Sequence, residues 1–235
     1  MAKHPGEPHD ASVSGRLNWL RAGVLGANDG IVSTAGLLAG MAGATTAVAP
    51  IVAAGVAGMA AGAVSMALGE YVSVSSQRDT EQALLDTERG ELAQFPDEEL
   101  EELAALYQAK GLTPATAWQV ARELTAGDAF TAHADAELHL DPEDLTNPWQ
   151  AAWASAVAFT SGSLLPLVAI LLPPVDIRVG VMFTVVVAAL AATGHLSARL
   201  GRARPARAVL RLVIGGAAAM AVTYGLGSLI GTAIG

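Results

Sequence analysis

The sequence predicts an all-α integral membrane protein with five transmembrane helices and a cytoplasmic three-helix acidic domain inserted between the second and third of them. Hydrophobic residues make up 52% of the 235 positions, and the mean hydropathy is +0.44. Only 15% of the residues are charged, which is too few for an ordinary soluble domain of this length. Five stretches are apolar enough to span a bilayer, and one intervening segment collects most of the acidic residues.

The predicted spans follow from the length that a helix needs to cross the hydrocarbon core, about 20 mostly apolar residues. The five stretches that meet this requirement are residues 20–42, 48–74, 149–172, 179–200 and 209–230. The link between the first two is short and uncharged, so it predicts a hairpin turn rather than a domain.

The distribution of basic residues predicts the orientation, because loops rich in Lys and Arg are retained in the cytoplasm. Basic residues cluster before and at the start of the first span and in and beside the link between the fourth and fifth spans: Lys3, Arg16, Arg21, Arg199, Arg202, Arg204, Arg207 and Arg211. The link between the third and fourth spans has only Arg178, beside Asp176. Residues 1–16 are polar and lack the apolar core of a cleavable signal peptide. We therefore expect a cytoplasmic N-terminus and an external C-terminus.

Residues 75–147, the acidic module, contain 17 Asp and Glu against 4 Lys and Arg, a net charge of −13. The remainder of the chain carries +4, since the whole chain carries −9. A segment this acidic repels nucleic acid and attracts cations, which argues against a nucleic-acid partner. The sequence contains no cysteine, so disulfides, thiolate zinc sites and iron–sulfur clusters are excluded.

Helix start and stop signals divide the acidic module into three helices. The first continues from the second span and ends where Pro96 begins the next helix. Gly111 follows Lys110 as a C-terminal cap of the second helix, and Thr113 with Pro114 supplies the cap and first turn of the third. The third helix is expected to run to about Leu140.

Acidic pairs on these helices are candidate metal ligands. Glu88 and Glu91 form one pair spaced i, i+3, Glu99 and Glu102 form another, and His133 and Glu137 are spaced i, i+4. Most charge runs are simply solvated helix faces. Carboxylates that converge from three helices are tolerated if a divalent cation neutralises them, and oxygen ligands with one imidazole suit Fe²⁺, Mn²⁺ or Zn²⁺ better than Cu⁺. The number of carboxylates would also suit Ca²⁺.

Polar residues inside the first two spans are candidates for an ion path. Burying the Asp29 carboxylate near a helix centre costs about 2.5–3.5 kcal/mol, and such acids usually mark ion or proton pathways. Met66 and Glu70 are one helical turn apart, so both side chains could face the same gap between helices as Asp29. The alternatives are a hydrated interfacial carboxylate at Asp29 or Glu70 and core packing at Met66. His195 is expected to be an interfacial or helix-capping imidazole rather than a ligand.

Glycines recur at four-residue spacing in the spans, which lets helices pack closely in lipid. The pairs are Gly26 and Gly30, Gly36 and Gly40, Gly58 and Gly62, and Gly227 and Gly231. Packing within one chain is one explanation, and a dimer seam is the other.

Motifs of hydrolytic enzymes and of other ion-binding proteins are absent from the sequence. It contains no EF-hand loop, no phosphate-binding glycine loop and no HExxH motif, so the chain is not expected to be an enzyme.

Several motifs resemble those of the vacuolar iron transporter family, over nearly the whole chain from Leu17 to Gly231. They are Gly-Ala-Asn-Asp-Gly-Ile around Asp29, Ala-Gly-Ala-Val-Ser-Met-Ala-Leu-Gly-Glu-Tyr around Met66, and the four glutamates of the acidic module with Pro96-Asp97 between the pairs. Asn-Pro-Trp-Gln-Ala-Ala at the start of the third span and Ala-Val-Thr-Tyr-Gly in the fifth look like the bacterial branch.

The resemblance implies a homodimer of five-helix protomers that exchanges Fe²⁺ for protons. It implies that Asp29 and Met66 are translocation ligands and that the cytoplasmic domain binds metal through Glu88, Glu91, Glu99, Glu102 and Glu137. Two positions depart from the plant and parasite members. Gly58 stands where they have a glutamate, and His133 and Ala134 stand where they have methionines. Glu70 and His133 are candidate replacements.

The expected function is proton-coupled export of Fe²⁺, with Mn²⁺ or Zn²⁺ left open, across a prokaryotic plasma membrane. Two alternatives are a membrane-anchored di-iron carboxylate oxidase and a metal sensor that does not transport. Helical di-iron sites use a repeated Glu-x-x-His motif, which this sequence lacks.

Overall fold

The computed structural model describes residues 13–200 and 204–234, and these residues form seven α-helices and one short π-helix, with no strand among them. The polar N-terminus predicted for residues 1–16 falls mostly outside this range. The elements are α1 (Val13–Ala44), α2 (Val48–Gln94), α3 (Pro96–Ala109), α4 (Pro114–His133), the π-helix (Ala134–Leu138), α5 (Pro148–Leu171), α6 (Arg178–Leu200) and α7 (Pro205–Ile234).

Each predicted span lies within one helix, apart from one residue at the end of the third span, and four of the described helices are long and apolar enough to cross a membrane: α2, α5, α6 and α7. The helix α1 is 32 residues long but is not among these four. Asn28 and Asp29 interrupt its apolar sequence. The fold is therefore all-helical with several membrane-type helices, and the count of five spans stays a prediction.

The chain divides into two compact units. One contains Val72–Pro148, and with it the whole acidic module; the other, the apolar unit, contains Arg16–Tyr71 and Trp149–Gly235. The boundary falls inside α2, which is one uninterrupted helix of 47 residues. The prediction that the first helix of the module continues from the second span is confirmed.

Close helix contacts in the apolar unit are made at glycines of α1. A β-carbon at Gly26 would meet the Ser155 carbonyl oxygen of α5 at 2.8 Å, and one at Gly40 would meet the Thr223 carbonyl oxygen of α7 at 3.3 Å. The Ser163 hydroxyl donates to the Gly30 carbonyl at 3.3 Å, in a buried position. These glycines bring the helices of one chain together, so packing within the chain accounts for their spacing.

Four helix boundaries predicted in the acidic module are confirmed: the end of α2, both ends of α3 and the start of α4. The helix α2 ends at Gln94, and α3 starts with Pro96 in its first turn. Gly111 has a φ of +100°, the left-handed conformation that a C-terminal cap requires. The Thr113 hydroxyl accepts a hydrogen bond from the Thr116 backbone N–H at 3.4 Å, which caps α4.

The third helix, predicted to run to about Leu140, is helical to Leu138, but it has a break that was not predicted. Asp128 has extended backbone angles (φ −153°, ψ 97°), so α4 is broken there, and the chain forms a π-helix from Ala134 to Leu138. Gly127, a poor helix former, precedes the break. The segment ends at His139 in the left-handed conformation, with a φ of 55°.

Candidate metal centre

Side chains from three helices meet in the acidic module. One ligand atom from each of Glu88 on α2, Glu99 on α3 and His133 at the end of α4 lies within 4.8 Å of the other two. All three residues are buried, and the His133 side chain is fully inaccessible. The three atoms are close enough together to contact a single cation.

His133 is at the centre of the cluster. Its Nδ1 atom is 3.0 Å from Glu88 Oε1, 3.6 Å from Glu99 Oε2 and 3.9 Å from Glu137 Oε2. Glu137 is about one-third exposed, so it lies at the edge of the buried cluster. The structure therefore brings together one imidazole and three of the five carboxylates expected in this site.

Three buried atoms of the cluster have no hydrogen-bond partner in the part of the chain that the structure describes: both ring nitrogens of His133 and Oε1 of Glu88. Although Nδ1 and Oε1 are 3.0 Å apart, their orientation does not form a hydrogen bond. Buried polar atoms are rarely left unpaired, because each costs about 1–3 kcal/mol. A bound cation would satisfy lone pairs on both residues, so the donor set fits a divalent metal.

Burial and neighbouring carboxylates raise the pKa of Glu88 from 4.5 to about 7. Desolvation is the largest cause, followed by the negative charges of Glu137, Glu99 and Glu91. Glu88 and Glu137 also share a hydrogen bond that raises the pKa of Glu88 and lowers that of Glu137. This hydrogen bond therefore favours a proton on Glu88 over one on Glu137.

The pKa values of the other cluster members are also shifted in the direction that favours the uncharged form of each side chain. Desolvation raises the pKa of Glu99, and repulsion from Glu102 and Glu91 raises it further. Desolvation is also the main cause that raises the pKa of Glu137. Burial lowers the pKa of His133, so its imidazole is neutral at pH 7 and has a lone pair for a metal.

Glu91 and Glu102, the second members of the two acidic pairs, are exposed. Both act electrostatically on the buried carboxylates, since Glu91 raises the pKa of Glu88 and Glu99, and Glu102 raises the pKa of Glu99 and Glu137. They form a negative rim around the buried cluster. The rim attracts cations toward Glu88, Glu99 and His133.

The break in α4 positions the helical segment that carries His133. The Thr131 backbone N–H donates to Asp128 Oδ1 at 3.1 Å, and its hydroxyl donates to Asp128 Oδ2 at 2.8 Å. These bonds lower the pKa of Asp128 and cap the short helix that follows. The Lys110 ammonium donates to the Ala136 carbonyl in the π-helix at 3.3 Å.

Sequence analysis missed both Asp128 and Lys110 as positioning residues. The Asp-x-x-Thr pattern after Gly127 is a helix-start signal that could have located the break. No sequence signal locates the contact of Lys110, which joins residues 26 positions apart.

Replacing Asp128 with alanine should loosen the segment that carries His133. The Thr131 N–H loses its cap, so amide hydrogen exchange across residues 129–138 should speed up, and Fe²⁺ affinity should fall several-fold. Asp128→Asn should behave like the wild type, because asparagine caps a helix as well as aspartate does. If alanine and asparagine give the same exchange rates, Asp128 does not position this segment.

A second group of predicted residues lines a cavity in the apolar unit. Its volume is about 190 Å³, and it is lined by Asp29, Ser33, Thr34, Leu37, Gly58, Gly62, Ser65, Met66 and Phe159. The Ser33 hydroxyl donates to Asp29 Oδ1 at 2.8 Å. A carboxylate, a thioether and three hydroxyl-bearing residues therefore share one small space.

Two other predictions for the apolar unit concern Glu70 and His195. Glu70 is not among the residues that line the cavity. Gly58, which stands where the plant and parasite members have the glutamate that Glu70 was expected to replace, does line it. His195 is exposed and is not part of the cavity lining.

Comparison with known proteins gives matches along nearly the full chain. The sequence profile described as the VIT family matches residues 20–228. A vacuolar iron transporter of Acanthamoeba castellanii is 42% identical over 225 residues, which cover 95% of this chain and 83% of that protein. Vacuolar iron transporter homolog 5 of Oryza sativa subsp. japonica is 38% identical, over 92% of this chain and 83% of that protein. Vacuolar iron transporter homolog 1 of Arabidopsis thaliana is 37% identical, over 93% of this chain and 86% of that protein.

These relatives come from an amoeba and from plants, so they give no support to the narrower placement in a bacterial branch. Their names are those of transporters, in agreement with the expectation that the chain is not an enzyme.

Proposed function

This chain belongs to the VIT family of membrane metal transporters, and from that premise we propose that it exports Fe²⁺ from the cytosol in exchange for protons. The acidic module captures the metal, and the cavity at Asp29 and Met66 carries it across the bilayer. The module and the N-terminus face the cytoplasm, and the C-terminus lies outside. By the resemblance described above, the working form is a homodimer.

The observation that carries this proposal is the buried cluster of Glu88, Glu99 and His133. Two carboxylates and an imidazole are removed from water here, and both ring nitrogens of His133 and Oε1 of Glu88 have no hydrogen-bond partner within the described residues. This arrangement is suited to a cation. Exposed acidic residues without a site would be hydrated instead.

The ligand types favour borderline transition metals. Imidazole nitrogen binds Fe²⁺, Mn²⁺ and Zn²⁺ well, whereas Ca²⁺ takes six to eight oxygen ligands. Geometry and availability decide among the transition metals more than ligand chemistry does. The names of the relatives make Fe²⁺ the first choice.

Proton coupling follows from the chemistry of a single carboxylate in the cavity. Asp29 binds either a cation or a proton, and both cannot occupy the same oxygen atoms. A proton arriving from the acidic side displaces the metal, and release of that proton on the other side resets the carboxylate. This competition requires no second acidic residue in the cavity.

Flux measurements in proteoliposomes test the proposal. We expect purified full-length protein to move Fe²⁺ into liposomes that are acidic inside, with Mn²⁺ and Zn²⁺ as slower or competing substrates and Ca²⁺ excluded. Collapse of the pH gradient with a protonophore should stop accumulation. Metal that binds to the protein but never enters the lumen would support a sensor instead. Oxygen consumption stimulated by Fe²⁺ would support a di-iron oxidase.

The raised pKa of Glu88 predicts opposite effects of pH on the metal-free and metal-bound acidic module. Without metal, the folded state holds a proton at Glu88 that the unfolded state has lost, so module stability falls as the pH rises from about 5 through 7. Metal binding releases this proton, so Fe²⁺ affinity should rise by up to about tenfold per pH unit below pH 7.

Both trends can be measured on the full-length protein, from the hydrogen exchange of α3 amides and from Fe²⁺ titrations under anaerobic conditions. An Fe²⁺ affinity that is flat between pH 6 and pH 8 would contradict the role of Glu88 as a ligand.

A further inference from the structure

Three arginines, two in the first turns of α7 and one just before the helix begins, line an open groove of about 470 Å³. Arg207 and Arg211 are four positions apart in α7, which places them on the same side of the helix, and Arg204 directly precedes Pro205, the first residue of the helix. All three are exposed. The remaining lining residues are Ala208 and Leu210.

None of these arginines has a carboxylate partner within the described residues. Three like charges held close together repel each other, and an anion with several acceptor oxygens removes that repulsion. One guanidinium group can donate two parallel hydrogen bonds to two oxygens of a phosphate, which makes phosphate the best-matched anion.

An apolar surface continues directly from the arginines. Leu210 is 60% exposed and Ile214 is 58% exposed, and Ile214 follows Arg207 and Arg211 on the same helix face. The helix α7 is also one of the helices that can cross a membrane. The groove thus combines a cluster of positive charges with an exposed apolar side. The arginines could also serve only to orient the protein in the membrane, which requires positive charge on the cytoplasmic side. That role would not require two of them to share a helix face or all three to line a groove.

We propose that Arg204, Arg207 and Arg211 bind the phosphate of an anionic phospholipid whose acyl chains lie along Leu210 and Ile214. Lipid is favoured over free phosphate because the groove opens onto an exposed apolar stripe. The site is independent of the metal that is transported.

Lipid binding to the full-length protein in detergent tests this proposal. Native mass spectrometry would measure the binding of dioleoylphosphatidylglycerol, with dioleoylphosphatidylcholine as the zwitterionic comparison. We expect the protein to bind phosphatidylglycerol in preference to phosphatidylcholine. The double variant R207Q/R211Q should bind phosphatidylglycerol about 30-fold more weakly, because each basic residue near an anionic lipid contributes a similar share of the binding free energy.

The matched control is R89Q/R122Q, which removes two exposed arginines from the acidic module. It should leave phosphatidylglycerol binding unchanged. A circular dichroism spectrum and a thermal unfolding transition that match those of the wild type would show that R207Q/R211Q is folded. The proposal is overturned if phosphatidylcholine binds equally well, if both double variants lose the lipid equally, if R207Q/R211Q keeps it, or if inorganic phosphate displaces it at comparable concentration.

Discussion

Replacing Asp29 with asparagine is expected to reduce pH-driven Fe²⁺ flux to the level of liposomes without protein. Asparagine has nearly the same shape, and its Oδ1 atom can still accept the hydrogen bond from Ser33 that Asp29 accepts at 2.8 Å. The substitution therefore removes the negative charge and the titratable proton while keeping the local contacts. Uptake of radioactive iron into proteoliposomes that are acidic inside measures the effect.

Controls for this prediction separate loss of the ion path from loss of charge in general. Asp176→Asn neutralises an exposed aspartate in the link before α6 and should leave flux unchanged. The Fe²⁺ affinity of the acidic module should also be unchanged in Asp29→Asn. Parental flux in Asp29→Asn would remove Asp29 from the mechanism, and loss of flux in Glu70→Gln alone would assign the role to Glu70.

Local signals in the sequence were sufficient for the helix boundaries of the acidic module. These signals are the proline at the start of α3, the glycine that ends α3, and Thr113 with Pro114 at the start of α4. Each acts on the backbone within a few residues of itself, so the local sequence determines where the helix begins or ends. The break at Asp128 depends on a similar local cap, but the sequence continues with good helix formers that conceal it. The π-helix has no known local signal of comparable strength.

The candidate metal centre was predictable as a set of residues but not as a geometry. Spacing of i, i+3 places both members of a glutamate pair on one helix face without saying which is buried. The structure buries Glu88 and Glu99 and leaves Glu91 and Glu102 exposed. That distinction depends on how α2, α3 and α4 pack, which is long-range information. For the same reason, the central position of His133 could not be inferred from its sequence neighbours.

Replacing Glu88 with glutamine is expected to have two effects of opposite sign on the acidic module. Glutamine cannot supply a carboxylate, so Fe²⁺ affinity should fall by about 100-fold or more, beyond the 10–100-fold typical for residues that only support a ligand. Without metal, the variant should be more stable above pH 7. Glutamine keeps a donor for Glu137 but carries no charge, and the charged form of Glu88 is the one that burial and its acidic neighbours disfavour.

Opposite signs exclude misfolding as the cause, because a damaged module would lose stability and affinity together. Fe²⁺ titration and the hydrogen exchange of α3 amides, both on full-length protein at pH 8, provide the two measurements. Glu101→Gln, at an exposed position on α3, removes the same charge outside the cluster and should change neither quantity appreciably. Equal affinities in the two variants would mean that Glu88 is not a ligand. In that case its raised pKa would reflect burial in an acidic surrounding and would have no part in binding metal.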